Sequence, residues 1–265
     1  MKWLMMIKKL SPIKWSIVLV ASLWAMFSLS VASAVSVDMH HWYVGMDAGW
    51  MQTHMNQNAT TVQNGSDYPP PANVDQYSLN RPHATLFDIQ AGYRWNRDAR
   101  WIPSYALALR YEHVFTTAIT GMVTQYSDPD FTNYSYTSNV SSNVISLYSK
   151  LDFVRFNRLM LYVDLGVGIS FNQNQGYSET ALPNVIARYS PNYASRTNTQ
   201  FAYNAGAGLE YIVTNNLIVS AGYSYQSFGN FSSGSGQNPN WGNTQIKLGR
   251  LNSNIGLIGI SYLFK

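Results

Sequence analysis

Leu159-Met160-Leu161-Tyr162-Val163-Asp164-Leu165-Gly166-Val167-Gly168-Ile169-Ser170-Phe171 decides what kind of protein this is. Each odd position from Leu159 to Phe171 is bulky and apolar, whereas Tyr162, Asp164, Gly166, Gly168 and Ser170 stand between them. Successive side chains of a strand point to opposite faces, so the pattern predicts a strand with one greasy face and one small or polar face. A soluble sandwich also alternates, but its second face is charged and hydrated. Gly and Ser suit a cramped interior instead. The greasy face must then look outward, where lipid is the medium that stabilises it.

Seven further segments repeat the pattern. Trp42, Val44, Met46, Ala48 and Trp50 alternate with Tyr43, Gly45, Asp47 and Gly49, and Phe87, Ile89, Ala91, Tyr93 and Trp95 with Asp88, Gln90, Gly92 and Arg94. Tyr105, Leu107, Leu109 and Tyr111 oppose Ala106, Ala108, Arg110 and Glu112; Ile145, Leu147, Leu151 and Phe153 oppose Ser146, Tyr148, Lys150 and Asp152. Phe201 to Tyr211, Leu217 to Tyr225 and Ile258 to Phe264 complete the set. Half of the 18 glycines (Gly45, Gly49, Gly92, Gly166, Gly168, Gly206, Gly208, Gly222 and Gly259) share the inward phase. Eight strands closed on themselves leave room only for side chains, which favours such small residues. The expected fold is therefore all-β, an eight-stranded antiparallel up-and-down transmembrane barrel. Ten or twelve strands remain open if the long connections hide hairpins.

Aromatic residues at the strand ends agree. Trp42 to Trp50 is eight steps of about 3.3 Å, which at the tilt of barrel strands rises roughly 20 Å. An apolar band about 25 Å tall edged by aromatic girdles is what a membrane barrel presents. Trp42, Trp50, Trp95, Phe171, Phe201, Tyr211, Tyr262 and Phe264 are the girdle candidates.

Composition excludes several alternatives. Charged residues are 11% of 265 and cysteine is absent, which removes disulfide scaffolds, thiolate metal sites and cysteine nucleophiles. The net charge of +4 resides in Lys2, Lys8, Lys9 and Lys14; without them the bases equal the 13 acids. A nucleic-acid binder needs a surplus of clustered bases, so no nucleic-acid partner is expected. Those lysines precede an apolar run over residues 16–31 and the small-x-small pattern Ala32-Ser33-Ala34, which reads as a signal peptide. The alternative is a transmembrane anchor. The expected organisation is a signal over residues 1–34 and a barrel domain over 35–265.

Connections alternate in length. Those near residues 96–104, 154–158 and 214–216 are short; those near 51–84, 116–143, 172–199 and 227–251 are long, matching short periplasmic turns and long external loops. The long ones are rich in Asn, Ser, Thr, Tyr and Pro, a composition that predicts mobility without a core. Their aromatics (Tyr68, Tyr77, Tyr126, Phe131, Tyr134, Tyr136, Tyr177, Tyr189, Tyr193 and Trp241) resemble the mixture of adaptable binding loops, or else pack on the barrel rim.

The chain resembles the small Gram-negative outer-membrane β-barrel superfamily, the OmpA/OmpX-like and opacity-type surface antigens. The matching stretches are Trp42-Tyr43-Val44-Gly45, Leu161 through Gly168, Gly259-Ile260-Ser261-Tyr262-Leu263-Phe264 and the Ala-Ser-Ala leader end. Lys265 after the terminal aromatic departs from the family pattern. The resemblance implies the outer membrane as location, its lipid and lipopolysaccharide as surroundings, and the barrel-assembly machinery as reader of the last strand. It also implies a host or matrix ligand for the loops. A monomer is expected.

Asp47, Asp88, Arg94, Arg110, Glu112, Lys150, Asp152, Asp164 and Glu210 all take the inward phase. Counted from the short turns, Arg94, Asp152 and Glu210 form a lower layer, with Asp88, Arg110, Glu112, Lys150 and Asp164 above. Enclosed charges must be partnered, so an ion-pair plug is expected, with a cation-leaning water path as the alternative. Carboxylates outnumber bases, which points to protonation, hydration or help from Lys247 or Arg250. Removing Arg110 would then open the lumen to ions. Catalysis finds no support: no Gly-x-Ser-x-Gly elbow occurs, and His113, an outward rim residue, is the one catalytic candidate. His40 and His41 point to opposite faces, and His54 lies beyond the far end of the first strand, so no metal site or cofactor is expected. The function expected is a non-catalytic surface antigen or adhesin that adds to envelope integrity. A small channel for ions or hydrophobic solutes is the alternative.

Overall fold

The computed structural model describes residues 39–264; the signal expected over residues 1–34 lies outside them. Ten strands follow in order: β1 (Met39–Met55), β2 (Ala59–Gln63), β3 (Val74–Ser78), β4 (His83–Asn96) and β5 (Trp101–Thr124). Then come β6 (Thr132–Phe156), β7 (Leu159–Ala181), β8 (Arg196–Ile212), β9 (Leu217–Ser232) and β10 (Lys247–Phe264). Eight of them close a ring in the order β5-β4-β1-β10-β9-β8-β7-β6, with β6 returning to β5. Every pairing is antiparallel, and Trp42 stands opposite Phe264 where the first strand meets the last. The expected eight-stranded up-and-down barrel is the fold.

A hairpin does sit in the first long connection. It is β2–β3, but it joins the outer end of β5 through Gln76 and Tyr77 and stays outside the ring. The barrel count therefore remains eight.

Side-chain direction follows the alternation. Trp42, Val44, Met46 and Trp50 are exposed on β1 while Tyr43 is buried; Val163, Leu165, Val167 and Ile169 are exposed on β7 while Asp164 is buried. The exposed set forms the outer apolar band.

The expectation of mobile, coreless loops does not hold. β5, β6, β7, β9 and β10 continue well past the band, and their polarity reverses. On β6, Ile145 and Leu147 face out and Ser146 and Lys150 face in; farther along, Tyr134, Tyr136 and Val140 are buried while Ser135, Thr137 and Asn139 lie on the outer side. β1 changes in the same way, with Met51 and Met55 buried above exposed Trp50. Above the band the barrel is an ordinary water-soluble sheet, polar outside and apolar inside. The reason is the change of medium: an interior closed by tyrosines and aliphatic residues buries more apolar area than a polar one, and water replaces lipid outside. This crown holds one apolar cluster drawn from every ring strand, including Met51, Leu86, Ile119, Val144, Tyr177, Ala202, Phe228, Phe231, Leu248 and Ile255. Of the loop aromatics, Tyr77, Tyr134, Tyr136, Tyr177, Tyr193 and Trp241 are buried in it, whereas Tyr68, Phe131 and Tyr189 are exposed.

Candidate functional site

Within the band the lumen is polar. Arg94 of β4 lies at its lower end, in contact with Asp152 of β6 and, at 2.8 Å, with Glu210 of β8. Lys150 Nζ donates to Glu210 at 2.8 Å, and Ser104 Oγ donates to Asp152. Register explains the meeting: Arg94 pairs with Ala106, which pairs with Lys150, so a methyl group separates the two long bases. Lys150 therefore belongs with the lower layer and not with the upper one where strand counting placed it.

The upper layer is held largely by amides. Arg110 Nη2 donates to Asn204 at 2.5 Å and lies 3.9 Å from Glu112; Asn204 in turn donates to Asp164 at 2.8 Å. Gln226 donates to Glu112 at 2.6 Å and Gln90 to Asp47 at 2.9 Å. Tyr148 and Tyr162 contribute ring faces, 4.7 Å from the Arg110 guanidinium and 4.5 Å from Lys150 Nζ, a contact favourable to cations away from water. A Cβ at Gly206 would sit 2.6 Å from Asp164 Oδ2, so this approach needs glycine. Lys247 and Arg250 are exposed in the crown and do not match the acids, contrary to the expectation; Gln90, Asn204 and Gln226 do that work as neutral donors. Asp88 stands in register between Asp47 and Glu112, 1% exposed, with neither carboxylate oxygen hydrogen-bonded to protein.

A second charged cluster, missed by strand periodicity, organises the crown. Arg188, from the β7–β8 connection, reaches Asp75 of β3 at 2.5 Å and Glu179 of β7 at 3.0 Å. Its guanidinium lies 5.0 Å from the Tyr134 ring and 5.3 Å from the Trp241 ring. Burial by itself would lower the Arg188 pKa, but Glu179 and Asp75 outweigh it and hold the group above its ordinary value. Asp75 also accepts from Asn64 Nδ2 at 3.0 Å and from the Tyr126 backbone N–H at 3.1 Å. Tyr77 and Tyr177 both donate to Glu179, and burial raises both phenols. No signal in the local pattern marks these residues, because Asp75 and Arg188 are 113 positions apart.

The girdle candidates lie outward, Trp42, Trp50, Phe201, Tyr211, Tyr262 and Phe264 exposed and Trp95 half-buried. Phe171 shares the outer face. His113 Nδ1 donates to Asn143 Oδ1 at 2.8 Å and its ring packs between Phe87 and Phe115, a rim setting. His54 falls inside β1. Among the described residues no group of three or more His, Cys, Asp or Glu could hold a metal ion.

Comparisons place this architecture. None of the curated proteins matches the sequence. Among solved structures, Neisserial surface protein A is 15% identical, with 86% of this chain and 100% of that one aligned and a TM-score of 0.43. OprG from Pseudomonas aeruginosa is 9% identical over 84% and 96% of the two chains, TM-score 0.44. Ail, the attachment invasion locus protein of Yersinia pestis, solved with the heparin analogue sucrose octasulfate, is 13% identical over 84% and 99%, TM-score 0.34. The family described as outer membrane protein beta-barrel domain matches residues 20–256. With that match spanning most of an inside-out, eight-stranded ring, the chain belongs to this family of outer-membrane β-barrels.

Proposed function

We propose that this protein is a sealed, non-catalytic display barrel, whose crown binds a ligand at the cell surface while the barrel anchors it and reinforces the envelope. The observation that carries this reading is the apolar cluster across the outer mouth, to which every ring strand contributes. Such a stopper excludes hydrated ions, because its apolar side chains offer an entering ion nothing in place of its water and the crown carboxylates Asp75 and Glu179 are already taken up by Arg188. The ionic lumen beneath acts as an internal staple that fixes the strands relative to one another. Lipopolysaccharide surrounds the girdles, and the chain acts as a monomer.

The stopper revises one expectation. Arg110 lies below it in series, so removing that side chain alone leaves the path closed. In planar bilayers the native protein and Arg110→Ala should both be silent, whereas Arg110→Ala combined with Phe228→Ala and Phe231→Ala should give conductance steps. Steps from the native protein would favour the channel reading. Replacing residues 125–131 by a short Gly-Ser turn should abolish surface attachment while the barrel still folds.

A further inference from the structure

We infer that the corner of the crown formed by the β2–β3 and β5–β6 connections is a binding surface for a basic polypeptide segment rich in Arg or Lys. This deepens the display reading by naming the class of partner.

Three aromatic rings meet there. Tyr68 meets Tyr126 edge-on with centroids 5.9 Å apart, and Tyr126 meets Phe131 at 5.8 Å. Tyr68 is 60% and Phe131 45% exposed and Tyr126 is half-buried, unlike the aromatics packed inside the crown. Asp67, Asp128 and Asp130 border the rings, and Asp67 and Asp130 are exposed. No Lys, Arg or His occurs between Met55 and Asn80 or between Thr116 and Ser149, so nothing on these segments neutralises the acids. Of the exposed crown bases, Lys247 and Arg250 lie on β10, four strands from β6, Arg196 on β8, two strands from β6, and Arg81 on the β3–β4 connection, outside the two segments that carry the acids. Aromatic faces and carboxylates together match a guanidinium or ammonium group: the rings attract it through their quadrupole and bury its methylene stem, and the acids steer it.

The platform is built beforehand. Tyr126 and Ser127 have φ of 57° and 55°, a region that non-glycine residues rarely adopt. The Tyr126 N–H is held at 3.1 Å by Asp75, itself locked to Arg188, and Ser127 Oγ donates to Val74 O at 3.2 Å. Pro69, Pro70 and Pro71 restrict the chain beside Tyr68. Little ordering cost therefore remains at binding.

Fluorescence anisotropy on the full chain in zwitterionic detergent tests this, with a labelled peptide of alternating Arg and Gly set against one of alternating Glu and Gly. The basic peptide should bind and the acidic one should not. Tyr126→Ala with Phe131→Ala should weaken binding at least tenfold. Asp67→Asn, Asp128→Asn and Asp130→Asn together should slow association several-fold and flatten its salt dependence. Tyr68→Ala, a change at an exposed ring, serves as the second aromatic variant, and heat-modifiable gel mobility reports that each barrel is folded. Equal binding of both peptides, no binding, or basic-peptide binding indifferent to loss of the rings would overturn the assignment. Bilayer conductance is independent of this measurement, so a silent barrel that ignores the peptide defeats the partner class alone, and a conducting one defeats the display reading.

Discussion

Arg94 touches Asp152 and Glu210 at once, and its truncation would leave Asp152 with Ser104 alone and Glu210 with Lys150 alone, both deeply buried. Breaking a buried pair by removing one partner costs about 3–5 kcal/mol. Arg94→Ala should therefore lower the urea midpoint of the barrel in lipid vesicles, followed by tryptophan fluorescence, and an unchanged midpoint would remove the staple role. In the crown, burial pushes Tyr193 from 10.0 up to about 12. A phenol with a raised folded pKa stabilises the fold fully below its unfolded value. That contribution is lost as pH climbs from about 10 to about 12, because the unfolded phenol ionises first. Near-ultraviolet circular dichroism of the crown should be flat below pH ~10 and decay above it. The inward placement of the lumenal charges could be read from strand phase alone. Their partners could not: Asn204 and Gln226 look like filler in sequence, and the Arg188 cluster joins three segments that only the closed ring brings together.

Strand ends show where sequence patterning misleads. β5 was expected to stop near Thr116, because the alternation breaks there. The break is a bulge, with Val114 opposite Ser142 and Thr117 opposite Val140, so Phe115 and Thr116 share one partner position and both face out. Similar irregularities fall near Gly176, between β6 and β7, and near Gly229 and Gly249, between β9 and β10. All three glycines have positive φ, 63°, 78° and 83°. A bulge shifts the period-2 signal by one, so a continuing strand imitates a loop. At Gly229 a Cβ would also meet Gln200 Cβ at 2.5 Å. Gly229→Val should cost about 1–3 kcal/mol, seen as faster proteolysis of the crown with the gel-shift of the folded barrel retained.

For the whole molecule, architecture was legible and function was not. Eight greasy strand faces and the rhythm of short and long connections specify an inside-out ring, since no other arrangement leaves Leu161, Val163 and Leu165 stable on the outside. The crown was hidden because its inward residues, such as Tyr134, Tyr136 and Tyr177, lie among Ser, Thr and Asn whose outward placement shows only once pairing is known. The long strands exchange their wet and dry sides where the band ends, and that level acts as a waterline. Sliding the barrel inward by two residues along its strands, roughly 5 Å vertically, would sink Thr137 and Asn139 toward acyl chains, and sliding it outward by as much would lift Ile145 and Leu147 toward water. Both changes are unfavourable, so its draught is fixed in either direction. In a bilayer of the wrong thickness the lipid must therefore stretch or thin to meet the protein.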